Sequence, residues 1–288
     1  MKHFVKWSLV FLFVCPHSLA NSMPIFCALD IRDLSKSDFD DTDRVVMGCA
    51  FDCQNDLGRL CDELVYENDM AYRLRMKNCD VHTQVPIEVT HKTFSKTYRL
   101  DLVCNHAVYD GKTVERFVGK HDAQVLNYAM LLDIRHIKLL NFRPPRVEGR
   151  LKYNALTSAQ RQQFRIETSR WQPLSDCCGA LNEMMFELLR DWGTHLLVLL
   201  YEEALSALCA RNCEVQSRIE LRRDGHTLGT HTVNQHHPDA FFVVTAITNE
   251  LSAHESHLRR LLKLTGLKGL QWINLHHDKI SFITIMNL

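Results

Sequence analysis

The stretch that decides the fold is residues 100–128, which read LDLVCNHAVYDGKTVERFVGKHDAQVLNY. It predicts two β-strands joined by a turn at Asn105-His106, followed by an amphipathic helix. Asp101 lies near the end of the first strand, and Asp110 lies on the second. Antiparallel pairing brings such positions to one end of a sheet, so the stretch predicts a site that contains two carboxylates.

The two aspartates and Lys112 have the chemistry of a metal-dependent phosphodiester cleavage site. Paired carboxylates bind hard divalent cations, so Mg²⁺ or Mn²⁺ is the cofactor we expect. Such a cation activates water and offsets charge on a phosphate. Lys112 follows Asp110 by two residues, which places both side chains on one face of a strand, where the ammonium can stabilise the phosphate. The alternative is that Asp110-Gly111 forms an ordinary β-turn with solvated ends.

Length and composition allow one large domain or two of ordinary size. The chain has 288 residues, of which 46% are hydrophobic. Lys plus Arg and Asp plus Glu both total 34, and this balance argues against broad, non-specific binding of duplex nucleic acid. The 11 cysteines lack zinc-site spacing. We therefore expect buried free thiols in a reducing compartment.

Residues 1–22 resemble a secretory signal peptide. Two lysines precede the apolar run Trp7–Cys15, and Ser18-Leu19-Ala20 resembles a cleavage site. The alternative is that translation starts at Met23 and that these residues are a dispensable extension. Because a thiol-rich interior suits the cytosol, we expect a cytoplasmic protein, with secretion as the alternative. The apolar run is too short for a membrane span, so no stable membrane association is expected.

The two halves of the chain repeat one another. Tyr66-Glu67 matches Tyr201-Glu202, and Asn78-Cys79, Gly58, His121 and Asn141 match Asn212-Cys213, Gly193, His254 and Asn274, all in the same order. Each copy reads as helix, strands, helix, strand, with Val45–Met76 as a long helix interrupted near Gly58. The pattern predicts an α/β fold in tandem duplication. We expect copies at residues 40–152 and 181–288, joined by a connector at residues 153–180.

The second copy lacks the polar residues of the first. At the matching spacing Asp101, Asp110, Lys112, Gln124, Tyr128 and Glu63 correspond to Asn234, Val243, Thr245, His257, Leu261 and Val198. Such a set holds no hard cation, so we expect a degenerate unit. It would serve as an intramolecular pseudo-dimer partner or as a binding surface, and a homo-oligomer is a further alternative.

Residues 45–152 resemble the GxxExxY family, a branch of the PD-(D/E)XK nuclease-like superfamily. Glu63-Leu64-Val65-Tyr66 keeps the Glu and Tyr of the name-giving motif, with Leu60 in place of its Gly. Asp110-Gly111-Lys112 stands where the family typically has Glu-Leu-Lys. The segment His121–Tyr128 resembles the family helix, and its Gln124-x-x-x-Tyr128 element is similar to that of RecB-type nucleases, where it lies by the active site.

The resemblance implies a restriction-endonuclease-like mixed sheet flanked by helices and a Mg²⁺-dependent nuclease. The implied catalytic residues are Asp101, Asp110, Lys112, Gln124 and Tyr128, and the implied metal ligands are Glu63, Asp101 and Asp110. The expected partner is nucleic acid, DNA in preference to RNA. The basic residues Arg143, Arg146, Arg150 and Lys152 can grip its phosphates or form an ordinary solvated linker. The alternative function is a catalytically inactive binding or scaffold protein that keeps the fold, which the shorter Asp110 and Gly111 favour.

Overall fold

A computed structural model describes residues 24–174, 176–209 and 216–287, without the side chains of residues 176–179. These residues form two compact units, residues 24–160 and residues 161–287. The expected signal-like extension, residues 1–22, and the matched pair Asn212-Cys213 lie outside the described residues. Among the residues that are described, no helix is both long and apolar enough to cross a membrane.

The first unit begins with a pair of helices, α1 (Lys36–Leu57) and α2 (Glu63–Met76). The Ser35 hydroxyl caps α1 by accepting a hydrogen bond from the Asp38 N–H. Gly58 ends α1 with φ of 73°, a conformation that favours glycine. The predicted interruption near Gly58 therefore separates two distinct helices.

A six-stranded mixed sheet packs against these helices. Its strands are β1 (Ile25–Cys27), β2 (Val81–His91), β3 (Phe94–Cys104), β4 (Ala107–Lys112), β5 (His136–Asn141) and β6 (Glu148–Tyr153), in that spatial order. Helix α3 (Gly119–Leu131) connects β4 to β5, which are parallel, and every other neighbouring pair is antiparallel. This arrangement confirms the predicted α/β class with a mixed sheet.

A short helix, α4 (Ser158–Arg161), spans the boundary between the units along the chain. The second unit continues with strand β7 (Arg165–Arg170) and then has the same order of elements as the first. Helices α5 (Asp176–Trp192) and α6 (Val198–Cys209) precede β8 (Gln216–Arg223), β9 (His226–His237), β10 (Ala240–Thr245), α7 (Leu251–Thr265), β11 (Gly269–His276) and β12 (Lys279–Met286). The sheet runs β7-β12-β11-β10-β9-β8, with β10 and β11 parallel. Strand β7 lies in the segment expected to be a connector.

Two side-chain contacts recur in both units. The Tyr66 hydroxyl donates to the Gly58 carbonyl over 2.8 Å, and the Tyr201 hydroxyl donates to the Gly193 carbonyl over 2.6 Å. Both glycines have positive φ, 73° and 76°. Each contact joins the residue that ends one helix to the helix that follows, so the matched tyrosines and glycines have the same structural role.

The matched asparagines also have one role. The Asn141 amide bonds the Val114 backbone through both its oxygen, at 3.1 Å, and its nitrogen, at 2.7 Å. Asn274 does the same to Ile247, at 2.8 and 3.0 Å. Each asparagine thereby fixes the loop that follows the neighbouring parallel strand.

The register of one strand pair differs between the units. Leu102 pairs with Tyr109 in the first unit, whereas Asn234 pairs with Phe242 in the second, after a register shift between Ala240 and Phe241. A one-residue slip turns each side chain to the other face of a strand. The expected correspondence of Asp101 with Asn234 is therefore wrong: strand pairing makes Asn234 the counterpart of Leu102.

Candidate active site

The end of the β3–β4 pair brings Asp101, Asp110 and Lys112 together. The Lys112 ammonium forms an ion pair with Asp110 Oδ2, and its Nζ lies 3.9 Å from Asp101 Oδ2. The Gly111 N–H donates to Asp101 Oδ2 over 2.9 Å, which holds that carboxylate against β4. Antiparallel pairing of β3 with β4 creates this proximity, because Asp101 and Asp110 are the neighbours of the paired residues Leu102 and Tyr109.

Glu63 joins this group from the first turn of α2. Its Oε1 lies 3.9 Å from Lys112 Nζ. Three carboxylates thus surround one ammonium group. The charge of this cluster is balanced only in part, because one positive charge faces three acidic side chains, of which Glu63 is 42% exposed.

Burial and repulsion from Asp101 make Asp110 a weaker acid than an exposed aspartate. The residue is 2% exposed, and burial, with the charge of Asp101, raises the pKa of Asp110 to about 7. In the described part of the chain, no N–H or O–H group donates to its buried Oδ1. Burial likewise raises the pKa of Asp101 and of Glu63, although Lys112 acts in the opposite direction on both. Asp110 Oδ1 therefore retains unused capacity to bind a cation.

The charge of Lys112 is stabilised in spite of its burial. Burial by itself lowers the pKa of its ammonium, but Asp110, Asp101 and Glu63 together outweigh this, and the pKa is raised. The ammonium also donates to the Gly111 carbonyl over 2.8 Å. Lys112 is thus a fixed positive charge at the end of β4 at any ordinary pH.

Gln124 and Tyr128 lie on α3 and bond each other. Gln124 Nε2 donates to the Tyr128 hydroxyl over 2.9 Å. The Tyr128 ring contacts Tyr98 edge-on, with 5.8 Å between ring centroids. Burial, and the nearby charges of Asp110 and Asp101, raise the pKa of Tyr128. The structure thus brings this pair beside the acidic cluster, where the tyrosine stays neutral.

Gly111 leaves space beside the cluster. A side chain there would begin 3.8 Å from Glu63 Cγ and 3.9 Å from Asp101 Oδ2. The residue lines a cavity of about 20 Å³ together with Glu63, Glu67 and Asp101. A cavity of this size holds about one water molecule. Gly111 therefore leaves a small space open between these acids and the apolar core, where a bulkier residue would fill it.

Glu67 is a site residue that sequence reasoning missed. It is 9% exposed and lines the same cavity. Gln84, which has a positive φ of 53°, donates from Nε2 to both Glu67 carboxylate oxygens over 2.9 Å. Burial raises the pKa of Glu67, which Gln84 opposes. The available signal was its spacing, because Glu67 follows Glu63 by four residues and shares its helix face.

The corresponding region of the second unit is satisfied by its own hydrogen bonds. Thr245, the counterpart of Lys112, donates to Asn274 Oδ1 and accepts from Trp272 Nε1, each over 2.7 Å. Glu202, the counterpart of Glu67, accepts from Asn234 Nδ2, and Ser206 donates to Asn234 Oδ1 over 3.3 Å. Val243 replaces Asp110. This network contains one carboxylate, that of Glu202, where the first unit gathers three around Lys112.

Part of the predicted basic run is neutralised. Arg150 and Lys152 both lie near Asp122, at 3.4 and 3.3 Å. Arg143 Nε donates to the Thr113 carbonyl over 3.4 Å, in the loop that follows β4. Arg143 therefore lies by the end of the strand that carries Lys112, whereas the charges of Arg150 and Lys152 are shared with an acid.

The acidic cluster fits a hard divalent cation in its donor chemistry. Asp101, Asp110 and Glu63 offer carboxylate oxygens, and Asp110 Oδ1 lacks a donor, which is the ligand type that Mg²⁺ and Mn²⁺ prefer. Within the described ranges, however, no three His, Cys, Asp or Glu side chains are already arranged as metal ligands. The three carboxylates of this cluster are arranged around the Lys112 ammonium, which occupies the point where a metal would have to bind. A metal would bind here only with a shift of that side chain.

Comparison with known proteins agrees with this geometry. Residues 40–152 match the family model of the PD-(D/E)XK nuclease superfamily, and the match covers Glu63, the β3–β4 pair and α3. No curated protein and no solved structure matches the chain. Residues 40–152 are therefore similar in sequence to this superfamily, and the mixed α/β fold of the first unit is consistent with it.

Proposed function

We propose that the first unit is a metal-dependent nuclease that hydrolyses phosphodiester bonds in nucleic acid, DNA in preference to RNA. One observation carries this proposal: a single buried lysine, Lys112, lies within 3.9 Å of Asp101 and Glu63 and is paired with Asp110. The match of residues 40–152 to a nuclease superfamily gives the cluster its context.

Asp101 and Asp110, with Glu63 in support, would hold Mg²⁺ or Mn²⁺. A bound divalent cation supplies Lewis-acid activation of water and neutralises charge on phosphate. Because a proton competes for Asp110, whose pKa is about 7, this carboxylate becomes a full ligand only as the pH rises through neutrality. The site is therefore expected to work best above neutral pH.

Lys112 would stabilise the negative charge that develops on the phosphate. Its ammonium donates to the Gly111 carbonyl, and the shift that admits a metal would turn it from the carboxylates toward the phosphate. Gln124 and Tyr128 would position the substrate from α3, since the tyrosine hydroxyl already accepts from the glutamine amide. Arg143, by the end of the same strand, is suited to a phosphate contact.

We further propose that the second unit is a degenerate copy of the first, produced by tandem duplication. The shared order of elements, the Tyr–Gly contacts and the asparagine contacts support a common origin. The satisfied network around Asn234 and Thr245 supports loss of the site. Membership of the first unit in the GxxExxY branch, the RecB-type role of Gln124 and Tyr128, and a cytoplasmic location remain predictions.

An inactive binding or scaffold protein is the competing function. It is favoured by the ion pair between Lys112 and Asp110, which fills the place of a cation, and by the open space at Gly111. In that case the first unit keeps its fold and its acidic cluster without cleaving a substrate.

A cleavage assay separates the two functions. Single- and double-stranded DNA and RNA are incubated with the full chain and with Mg²⁺, Mn²⁺ or a chelator. We expect metal-dependent cleavage that Asp110→Asn abolishes. Asp278→Asn is the matched control, because it removes an exposed carboxylate from the second unit. No cleavage with either metal, or equal cleavage by the Asp110→Asn variant, would contradict the nuclease proposal.

A further inference from the structure

The outer edges of the two sheets differ at equivalent positions. In the first unit β1 covers the outer edge of β2, with Ile25 opposite Val89 and Cys27 opposite Ile87. Strand β8 has the place of β2 in the second sheet, yet no strand in the described residues pairs with its outer edge. An uncovered edge presents a row of N–H and C=O groups that can pair with another strand.

The side chains of β8 alternate between two faces. Arg218, Glu220 and Arg222 are exposed, whereas Ile219 and Leu221 are half-buried. Ile219 packs against the apolar core of the second unit. A strand added beside β8 would therefore extend a charged face on one side and an apolar face on the other.

We propose that a second copy of this chain covers this edge, through antiparallel pairing of β8 with β8 about a two-fold axis at Leu221. In that register Leu221 faces its own copy, on the half-buried side. Glu220 faces the partner's Arg222, and this opposite-charge pair occurs twice because the contact is isologous.

The order of charges along β8 disfavours an axis at Glu220, whereas an axis at Ile219 would pair Arg218 with the partner's Glu220. An axis at Glu220 would oppose two glutamates and would place Arg218 against the partner's Arg222, and like charges directly opposite are destabilising. Within one chain Glu220 and Arg222 already pair at 2.6 Å, with side chains 50% and 67% exposed. Such an exposed pair contributes little, so exchanging it for a pair across the interface costs little.

A charge-exchange series on the full chain tests the pairing. Sedimentation velocity over a range of micromolar concentrations should show the 33.4 kDa chain in equilibrium with a dimer. The contact is small for a stable interface, so the equilibrium depends on concentration. Glu220→Arg and Arg222→Glu should each weaken dimerisation about tenfold or more, because each creates two like-charge pairs. The double variant E220R/R222E should restore it.

Arg44→Glu is the matched control, because it breaks an exposed Arg–Asp pair in the first unit, with Asp41, and should leave dimerisation unchanged. Circular dichroism shows that each variant is folded. A chain that is monomeric at every concentration would overturn the proposal. So would single variants that dimerise normally, or a folded double variant that fails to recover. If E220R/R218E restores dimerisation and E220R/R222E does not, the two-fold axis lies at Ile219 and the Leu221 register is wrong. None of these outcomes depends on nuclease activity.

Discussion

The two units place similar backbones around different side chains. Both keep the Tyr–Gly contact between their first two helices and the asparagine contact that fixes a loop. Among the described residues, only the first unit gathers three carboxylates around a lysine. Contacts common to both units therefore serve the fold, whereas the acidic cluster has a cost in stability that the fold does not require. This cost is the physical argument that the cluster serves a function.

The largest expected effect is on cleavage. Replacement of Lys112 by alanine should lower the rate roughly 100- to 1000-fold, because it removes the fixed charge that stabilises the phosphate. Thr245→Ala, at the equivalent place in the second unit, should leave the rate unchanged. Steady-state cleavage of a labelled oligonucleotide with Mg²⁺ measures both. If the two substitutions have equal effects, the functional distinction between the units fails.

Replacing site residues of the first unit with their counterparts from the second should abolish cleavage without lowering stability. The double variant D110V/K112T removes a buried ion pair, and such replacements are neutral or stabilising by about 1–4 kcal/mol. Chemical denaturation of the metal-free protein measures this change, and the cleavage assay should show no activity. Asp110→Val alone is the control, because it keeps the buried Lys112 ammonium but removes the carboxylate with which it forms an ion pair. A double variant less stable than the parent would mean that the cluster supports the fold.

The cluster should make stability fall as the pH rises. Because the pKa of Asp110 is raised to about 7, the folded chain keeps a proton between about pH 4 and pH 7 that the unfolded chain releases. Its contribution is therefore present at acid pH and is lost through that window. Asp101, Glu63 and Glu67, whose pKa values are also raised, act with the same sign. Thermal unfolding from pH 4 to pH 8 in chelator tests this.

The Asp110→Asn variant should show a flatter dependence of melting temperature on pH, because the amide does not titrate. A parent profile that rises over the same window would mean that the ion pair with Lys112 keeps Asp110 ionised, and that the pKa is lowered instead of raised.

The smallest expected effects concern the shared contacts. Tyr66→Phe and Tyr201→Phe each remove one hydroxyl that donates to a glycine carbonyl, and each should cost about 1 kcal/mol. Equal losses of unfolding free energy in the two variants, measured by denaturant titration, would support equal structural roles for the two tyrosines. A loss confined to one variant would show that the two hydrogen bonds are equivalent in geometry alone.

Much of the fold could be predicted from local pattern. The strand-turn-strand-helix order of residues 100–128 and the break near Gly58 follow from periodicity and turn chemistry, and both are present. Strands β1, β6 and β7 were not predicted. The reason is that β1 is only three residues long, and that β6 and β7 are exposed edge strands without a clear apolar alternation.

The sequence predicted the residues of the candidate site but not the balance of charge among them. Residue type, spacing and the family resemblance together suggested Asp101, Asp110 and Lys112, and the structure brings them together with Glu63, Gln124 and Tyr128. Glu67 was missed because its burial depends on Gln84, from a strand that follows it in the chain. The correspondence with Asn234 failed because a register shift between strands leaves no mark in residue spacing.

By itself, the sequence determined the α/β class, the repeated order of elements and the set of acids with a lysine, because these depend on local periodicity and residue type. Only the tertiary structure decided that Lys112 fills the point where three carboxylates meet, that Gly111 leaves a cavity beside them, and that β8 has an open edge where β2 is covered. These features arise from contacts between residues far apart in the chain, whose distances no local pattern encodes.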